Sequence, residues 1–152
     1  MVLRRPLRPV RMGTCHGYGR WMARILFSGG SVFDGTGAAP AAGDVVVEGD
    51  RIVYVGAPGT GDGDEAVDLE GRTLLPGLFD CHVHVTTSGP DIVLDLQTPF
   101  SYRFYVAAEN LARTVAIGIT SVRDAAGADA CVKLAVERGL VLGPRMQISL
   151  DI

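Results

Sequence analysis

The chain has 152 residues, of which 47% are hydrophobic and 20% charged, and a formal net charge of -3. That is enough chain for one ordinary domain with a core of its own, and the composition is that of a globular protein. No apolar run reaches membrane-spanning length, and acidic groups outnumber basic ones beyond the first 21 residues, so neither a membrane nor nucleic acid is an expected partner.

Residues 1–21 carry Arg4, Arg5, Arg8, Arg11 and Arg20 and no acid. An Arg-rich, acid-free start is a feature of organellar transit peptides, but Met22 already opens a strand-like run. Thirteen arginines against one lysine also suit a GC-rich bacterial gene, in which over-extended starts are common. The expectation is therefore a disordered or artefactual basic extension over residues 1–21.

From Met22 onward, short strands are cut by glycine turns. Ile25-Leu26-Phe27 leads into Ser28-Gly29-Gly30, and Val32-Phe33 into Asp34-Gly35-Thr36-Gly37. The β-branched runs Asp44–Glu48 and Arg51–Val55 flank Gly49-Asp50, a hairpin signal. Residues 57–65, rich in Gly and Asp, suggest a surface loop, and Val67-Asp68-Leu69 alternates briefly. Residues 22–72 are thus expected to form a small antiparallel sheet, near the lower size limit for independent stability. The glycine clusters are turn punctuation here, since no helix follows them to hold a phosphate.

At Thr73 the period changes. Thr73–Phe79 is a nearly continuous apolar run, the mark of a strand buried on both faces. A loop from Thr86 to about Pro99 follows. Phe104, Ala108, Leu111, Ala112 and Val115 then recur at helical spacing, with Glu109 and Arg113 paired at i, i+4 and Gly118 closing the helix. Tyr102, Phe104 and Tyr105 at its start are expected to pack on the core, or else to line the rim of the sheet. Ile119–Arg123 predicts a second strand ended by Asp124. A second helix is predicted from about Ala128 to Arg138, with Gly139 as its cap, and a third strand from Arg145 to Ile152. Strand, helix, strand, helix, strand implies a parallel sheet with right-handed crossovers. It is either an open sheet or the start of a barrel. A complete (β/α)8 barrel takes about 250 residues, so residues 73–152 hold only its first two to three βα units.

The chemistry concentrates in Asp80-Cys81-His82-Val83-His84, where a strand ends in two histidines spaced i, i+2. Alternate strand residues share a face, so both imidazoles are carried to one side. They supply half of a zinc-type site, which needs three or four protein ligands, and no histidine follows His84. Asp124, at the end of the next strand, would meet them at the same rim. Metal-assisted hydrolysis uses such a rim, the metal activating water and a carboxylate taking the proton. A bare His-x-His is weak evidence alone, because two histidines on a polar strand end can be incidental. Cys15, Cys81 and Cys131 are odd in number and share no metal or redox spacing. Cys81 is expected in a buried apolar position, and a reduced, cytoplasmic protein fits best. Lys133 is expected to be a solvated helix residue and Asp80 a structural one.

The surrounding residues decide. Leu75-Pro76-Gly77-Leu78-Phe79-Asp80-Cys81-His82-Val83-His84 resembles the signature of the metal-dependent amidohydrolase superfamily. Gly118–Asp124 and Gly139–Arg145 are similar to its imidazolonepropionase-like and Xaa-Pro dipeptidase-like branch. The resemblance spans about residues 24–150, nearly everything after the extension. It implies an α/β fold in which part of a small β-sandwich domain, residues 22–72, precedes the start of a TIM barrel, residues 73–152. It implies that His82 and His84 ligate zinc or another divalent transition metal, in a mono- or binuclear site. It implies hydrolysis of a C–N bond in an amide, cyclic amide or dipeptide-like small molecule. The family's lysine, two later histidines and catalytic aspartate have no counterpart here. Asp124 and Arg123 are accordingly expected as a rim pair that organises the second loop, not as catalysts. The expectation is an N-terminal fragment that is inactive by itself; the alternative is a truncated, non-catalytic remnant with at most weak metal binding. Homo-oligomerisation stays open.

Overall fold

The computed structural model describes residues 23–149 apart from 88, 90–92 and 94–96. The basic extension lies outside the described residues, as does part of the segment read as a loop between Thr86 and Pro99; Val93 and Gln97 within that segment are helical. The chain divides into two compact units between Leu74 and Leu75.

The first unit is a five-stranded sheet: β1 (Arg24–Val32), β2 (Ala41–Glu48), β3 (Arg51–Gly56), β4 (Glu65–Asp68) and β5 (Thr73–Leu74). The predicted hairpin is β2–β3, closed by Gly49-Asp50 with Glu48 paired to Arg51. The sheet is mixed, however, not antiparallel as expected. Its order is β3-β2-β1-β4, and both β4 and β5 run parallel to β1. A three-residue alternation such as Val67-Asp68-Leu69 marks a strand without fixing its direction.

The crossover that permits this is anchored by a buried carboxylate. Asp44 is only 1% exposed, and its Oδ2 accepts N–H bonds from Gly59 (2.8 Å), Thr60 (3.1 Å) and Gly61 (3.1 Å). Three amides converging on one oxygen hold the predicted surface loop down on β2, beside the buried Val45 and Val46.

A second correction concerns Ser28-Gly29-Gly30, which is no turn. β1 runs straight through it with a register shift between Phe27 and Gly30. Gly29 has φ +74°, and a Cβ on Gly30 would lie 2.2 Å from the Arg72 carbonyl oxygen. The glycines let β1 bulge while a neighbouring strand passes close by.

The second unit holds a three-stranded parallel sheet in the order β6-β7-β8: β6 (Leu78–Val83), β7 (Ile119–Asp124) and β8 (Arg145–Ile148). Helix α1 (Tyr102–Ala116) joins the first pair and α2 (Ala130–Glu137) the second. The predicted strand Thr73–Phe79 proves to be two pieces. Proline has no N–H for a ladder, and Pro76-Gly77 breaks the run, leaving Thr73-Leu74 paired with β1 and Leu78 to start β6. Leu78 and Phe79, expected to be buried, are exposed.

Helices and sheet bury one contiguous core of Val85, Ala107, Leu111, Val122, Val132 and Met146, with Ala128 beside them. Phe104 packs against it as expected, whereas Tyr102 and Tyr105 are exposed. The Glu109–Arg113 pair forms on the polar side of α1. Lys133 faces Glu137 at 3.8 Å on α2. At the start of α2 the Asp129 carboxylate accepts the N–H groups of Cys131 and Val132, a capping bond worth about 1 kcal/mol. Among the described residues no helix is long and apolar enough to cross a membrane. The result is an α/β chain with one mixed and one parallel sheet; no closed barrel is formed by the described residues.

Candidate metal centre

His82 lies in β6 and His84 just past its end. Their rings stand edge to face with centroids 5.1 Å apart, and the two Nε2 atoms are 3.3 Å apart. His84 Nδ1 lies 3.1 Å from the carbonyl oxygen of Ala126. A carbonyl only accepts, so a hydrogen bond there puts the proton on Nδ1, which in the neutral ring leaves the Nε2 lone pair toward His82. Two nitrogens bound tetrahedrally at about 2.0–2.1 Å from one metal are about 3.3–3.4 Å apart. The observed separation matches that bite. The hydrogen bond from the far ring nitrogen to a backbone carbonyl is also the support that metal-bound histidines ordinarily have. These two residues fit a metal.

The i, i+2 spacing puts the two imidazoles on one face, and a bulge sets which face that is. Asp80 pairs with Val122 and Val83 with Asp124, so Cys81 and His82 together stand opposite the single Arg123. The Asp80 Oδ1 accepts the backbone N–H of His82 at 3.0 Å, taking that donor for the side chain. The shift keeps Asp80 and Val83 on the face of the buried Val122 and Asp124, and turns His82 to the other face. It also corrects the reading of Cys81, which was expected to be buried and is exposed. As half of the bulge, Cys81 is excluded from the core face that strict alternation would give it.

Arg123 and Asp124 are neighbours on one strand and take opposite faces. Arg123 is exposed opposite the bulge, whereas Asp124 is fully buried. Among the described residues no ion pair joins them. Asp124 Oδ2 accepts the N–H of Val85 at 2.8 Å, and Oδ1 that of Ala128 at 3.2 Å. From the other side, Asn110 on α1 donates through Nδ2 to the carbonyls of Val85 (3.0 Å) and Thr87 (3.1 Å). The segment after His84 is thus gripped by a strand-end carboxylate and a helix amide. Sequence reading missed Asn110; its one signal was a polar residue beside Leu111 on a helix facing the core. Gly127, at φ +105°, belongs to the same junction, because a Cβ there would sit 2.2 Å from Thr86 Oγ1. Among the described residues no group of three or more His, Cys, Asp and Glu side chains is placed to hold a metal. The structure brings together two imidazoles and the groups that support them.

Residues 73–151, more than half of the chain, match the model of the amidohydrolase family. The chain belongs to that family. This amidohydrolase-family chain is 40% identical over 72 residues to an adenine deaminase of Sinorhizobium fredii, covering 47% of the chain and 12% of that protein. An adenine deaminase of Cereibacter sphaeroides is 37% identical over 86 residues, covering 57% of the chain and 14% of that protein. Among solved structures, a prolidase complexed with N-methylphosphonate-L-proline superposes with a TM-score of 0.75 at 36% identity, over 84% of this chain and 32% of that one. An amidohydrolase superposes with a TM-score of 0.76 at 31% identity over the same shares. The amidohydrolase-family chain therefore spans about a third of these solved relatives and about an eighth of the curated ones.

Proposed function

We propose that this chain is the N-terminal part of a metal-dependent hydrolase that cleaves C–N bonds, with His82 and His84 as two of its metal ligands. The observation that carries the reading is the pair of Nε2 atoms 3.3 Å apart at a strand end, with the His84 ring fixed by the Ala126 carbonyl. Imidazole ligands suit zinc, and another divalent transition metal is the alternative; one or two ions are both compatible with the pair. When bound, such a metal polarises the scissile carbonyl and lowers the pKa of its water. The chain's own residues hold the ion, keep the His84 lone pair turned inward, and present Arg123 on the same face. There Arg123 can meet an anionic group of a small substrate with its planar fork of donors.

The three parallel strands then stand as the first strands of a (β/α)8 barrel, with residues 22–72 as part of a small β-sandwich domain and residues 73–152 opening the barrel. The substrate class we favour is a dipeptide-like amide, supported by the prolidase likeness at 36% identity; a cyclic amide or amino-substituted ring, as in the adenine deaminases, is the second choice. Cys81 and Cys131 are free and exposed, which suits a reducing, cytoplasmic setting. Two imidazoles fall short of the three protein ligands of a catalytic zinc, so the 152-residue chain alone is not expected to turn over substrate.

The test is to express the whole reading frame of the source gene with zinc and assay Xaa-Pro dipeptides, cyclic amides and adenine. Zinc-dependent hydrolysis lost in His82→Ala is expected. A frame that stops after codon 152 would instead favour the second reading, a non-catalytic remnant, which draws on the lack of a three-residue metal group among the described residues.

A further inference from the structure

We propose that Asp124 is the positioning residue of this centre: its buried carboxylate ties the residue after His84 to the loop that carries the His84 hydrogen-bond acceptor, and so selects the imidazole nitrogen that is left free. Three contacts meet here. Asp124 Oδ2 takes the amide of Val85, the next residue after His84. Asp124 Oδ1 takes the amide of Ala128, two residues beyond Ala126. The Ala126 carbonyl in turn faces His84 Nδ1 at 3.1 Å. One carboxylate therefore fixes both ends of the span across which the imidazole donates.

The side chain is fully buried, so water does not compete for either oxygen. The loop has a second restraint next to the first, since Ala125 N–H donates to the Val83 carbonyl at 2.9 Å and extends the β6–β7 ladder. Between Ala125 and Ala128 only Ala126 and Gly127 are left, and Gly127 already abuts Thr86. The Ala126 carbonyl has little freedom to leave His84. Its direction decides the tautomer, because the proton stays on the ring nitrogen that finds an acceptor. Asn110 grips the same segment from the helix side through the carbonyls of Val85 and Thr87, but touches nothing that holds Ala126.

The proposal rests on the metal-centre reading for its purpose and not for its test, which is made on the metal-free chain. A long-range proton–nitrogen NMR spectrum at mildly alkaline pH is expected to show His84 as the Nδ1–H tautomer in the wild type. In Asp124→Asn the amide can serve only one of the two N–H groups, and His84 should lose that single tautomer while the circular dichroism is kept. Leu111→Ala, which weakens the core around Val85 and Ala128 without removing a hydrogen-bonding group of the clamp, should leave the tautomer as it was. In a zinc titration Asp124→Asn should weaken binding about 10-fold or more. A folded Asp124→Asn chain with His84 still wholly Nδ1–H overturns the proposal. If that variant does not fold, the wild type decides through hydrogen-bond couplings from the Val85 and Ala128 amides to the Asp124 carboxyl carbon. Their presence supports the clamp and their absence overturns it. A wild type that shows the Nδ1–H tautomer but ignores zinc counts against the metal reading and leaves the clamp standing.

Discussion

Removing one of the two imidazoles tests the metal reading most directly. With Nε2 atoms 3.3 Å apart, a metal about 2.05 Å from each would subtend an angle near 107°, close to the tetrahedral value, so the second nitrogen binds without moving the chain. Joining two weak contacts in this way typically raises affinity about 10²–10⁴-fold over either alone. At about 1.4 kcal/mol per decade, that is about 3–6 kcal/mol. His82→Ala and His84→Ala should each weaken zinc binding by at least about 100-fold on that scale. Competition against a chromophoric chelator reads the change, and cobalt in place of zinc adds a colour that reports nitrogen ligation. Cys81 supplies the control. It is exposed next to His82, and thiolates bind zinc well, so Cys81→Ser must leave the affinity unchanged. Single-histidine variants that bind as tightly as the parent, or a large loss in Cys81→Ser, would refute the two-imidazole assignment.

Four further outcomes follow from the fold. Leu111→Ala removes a fully buried side chain from the second unit and should cost about 2–5 kcal/mol in a urea melt. Asp44→Ala leaves three loop amides without their acceptor and should cost about 2–4 kcal/mol. Asp44→Asn can place its oxygen where Oδ2 now sits and should cost clearly less, so equal losses would contradict the amide cradle. Gly30→Ala forces a Cβ onto the Arg72 carbonyl and should destabilise the first unit by about 1–3 kcal/mol. Asp34 should titrate below the ordinary aspartate value, because it accepts hydrogen bonds from the Thr36 backbone N–H and then the Thr36 hydroxyl. Its contribution is present above the unfolded-state value and lost as pH falls through the lowered one, which a carboxyl-carbon NMR titration would show.

The helices were legible because their signals are local. The Phe104–Val115 spacing gave α1 and its core face, and Gly118 and Gly139 gave the stops. The βαβαβ order and the His-x-His strand end were legible for the same reason. What the sequence hid was pairing. Whether β4 runs with or against β1 depends on how the 57–64 loop is tied down, and Asp44 does that from about fifteen residues away. Gly29-Gly30 looks like a turn until a second strand lies against it. Cys81 looks buried if residues are counted in twos, and is exposed because Asp80 takes the His82 amide. At the site, His82 and His84 could be named from spacing, but the grips of Asp124 and Asn110 on the segment after His84 join residues 23–39 positions apart.

The bulge at Cys81-His82 gives the two-histidine motif a grammar. Spacing i, i+2 says only that the imidazoles agree with each other; which side of the sheet they address is settled upstream, by whether Asp80 withholds one amide from its neighbour strand. The same His-x-His behind an apolar residue in place of Asp80 would keep the spacing and aim it at the helices. Protein designers who graft such a pair onto another parallel sheet should therefore copy the carboxylate along with the histidines, and treat the three as one word.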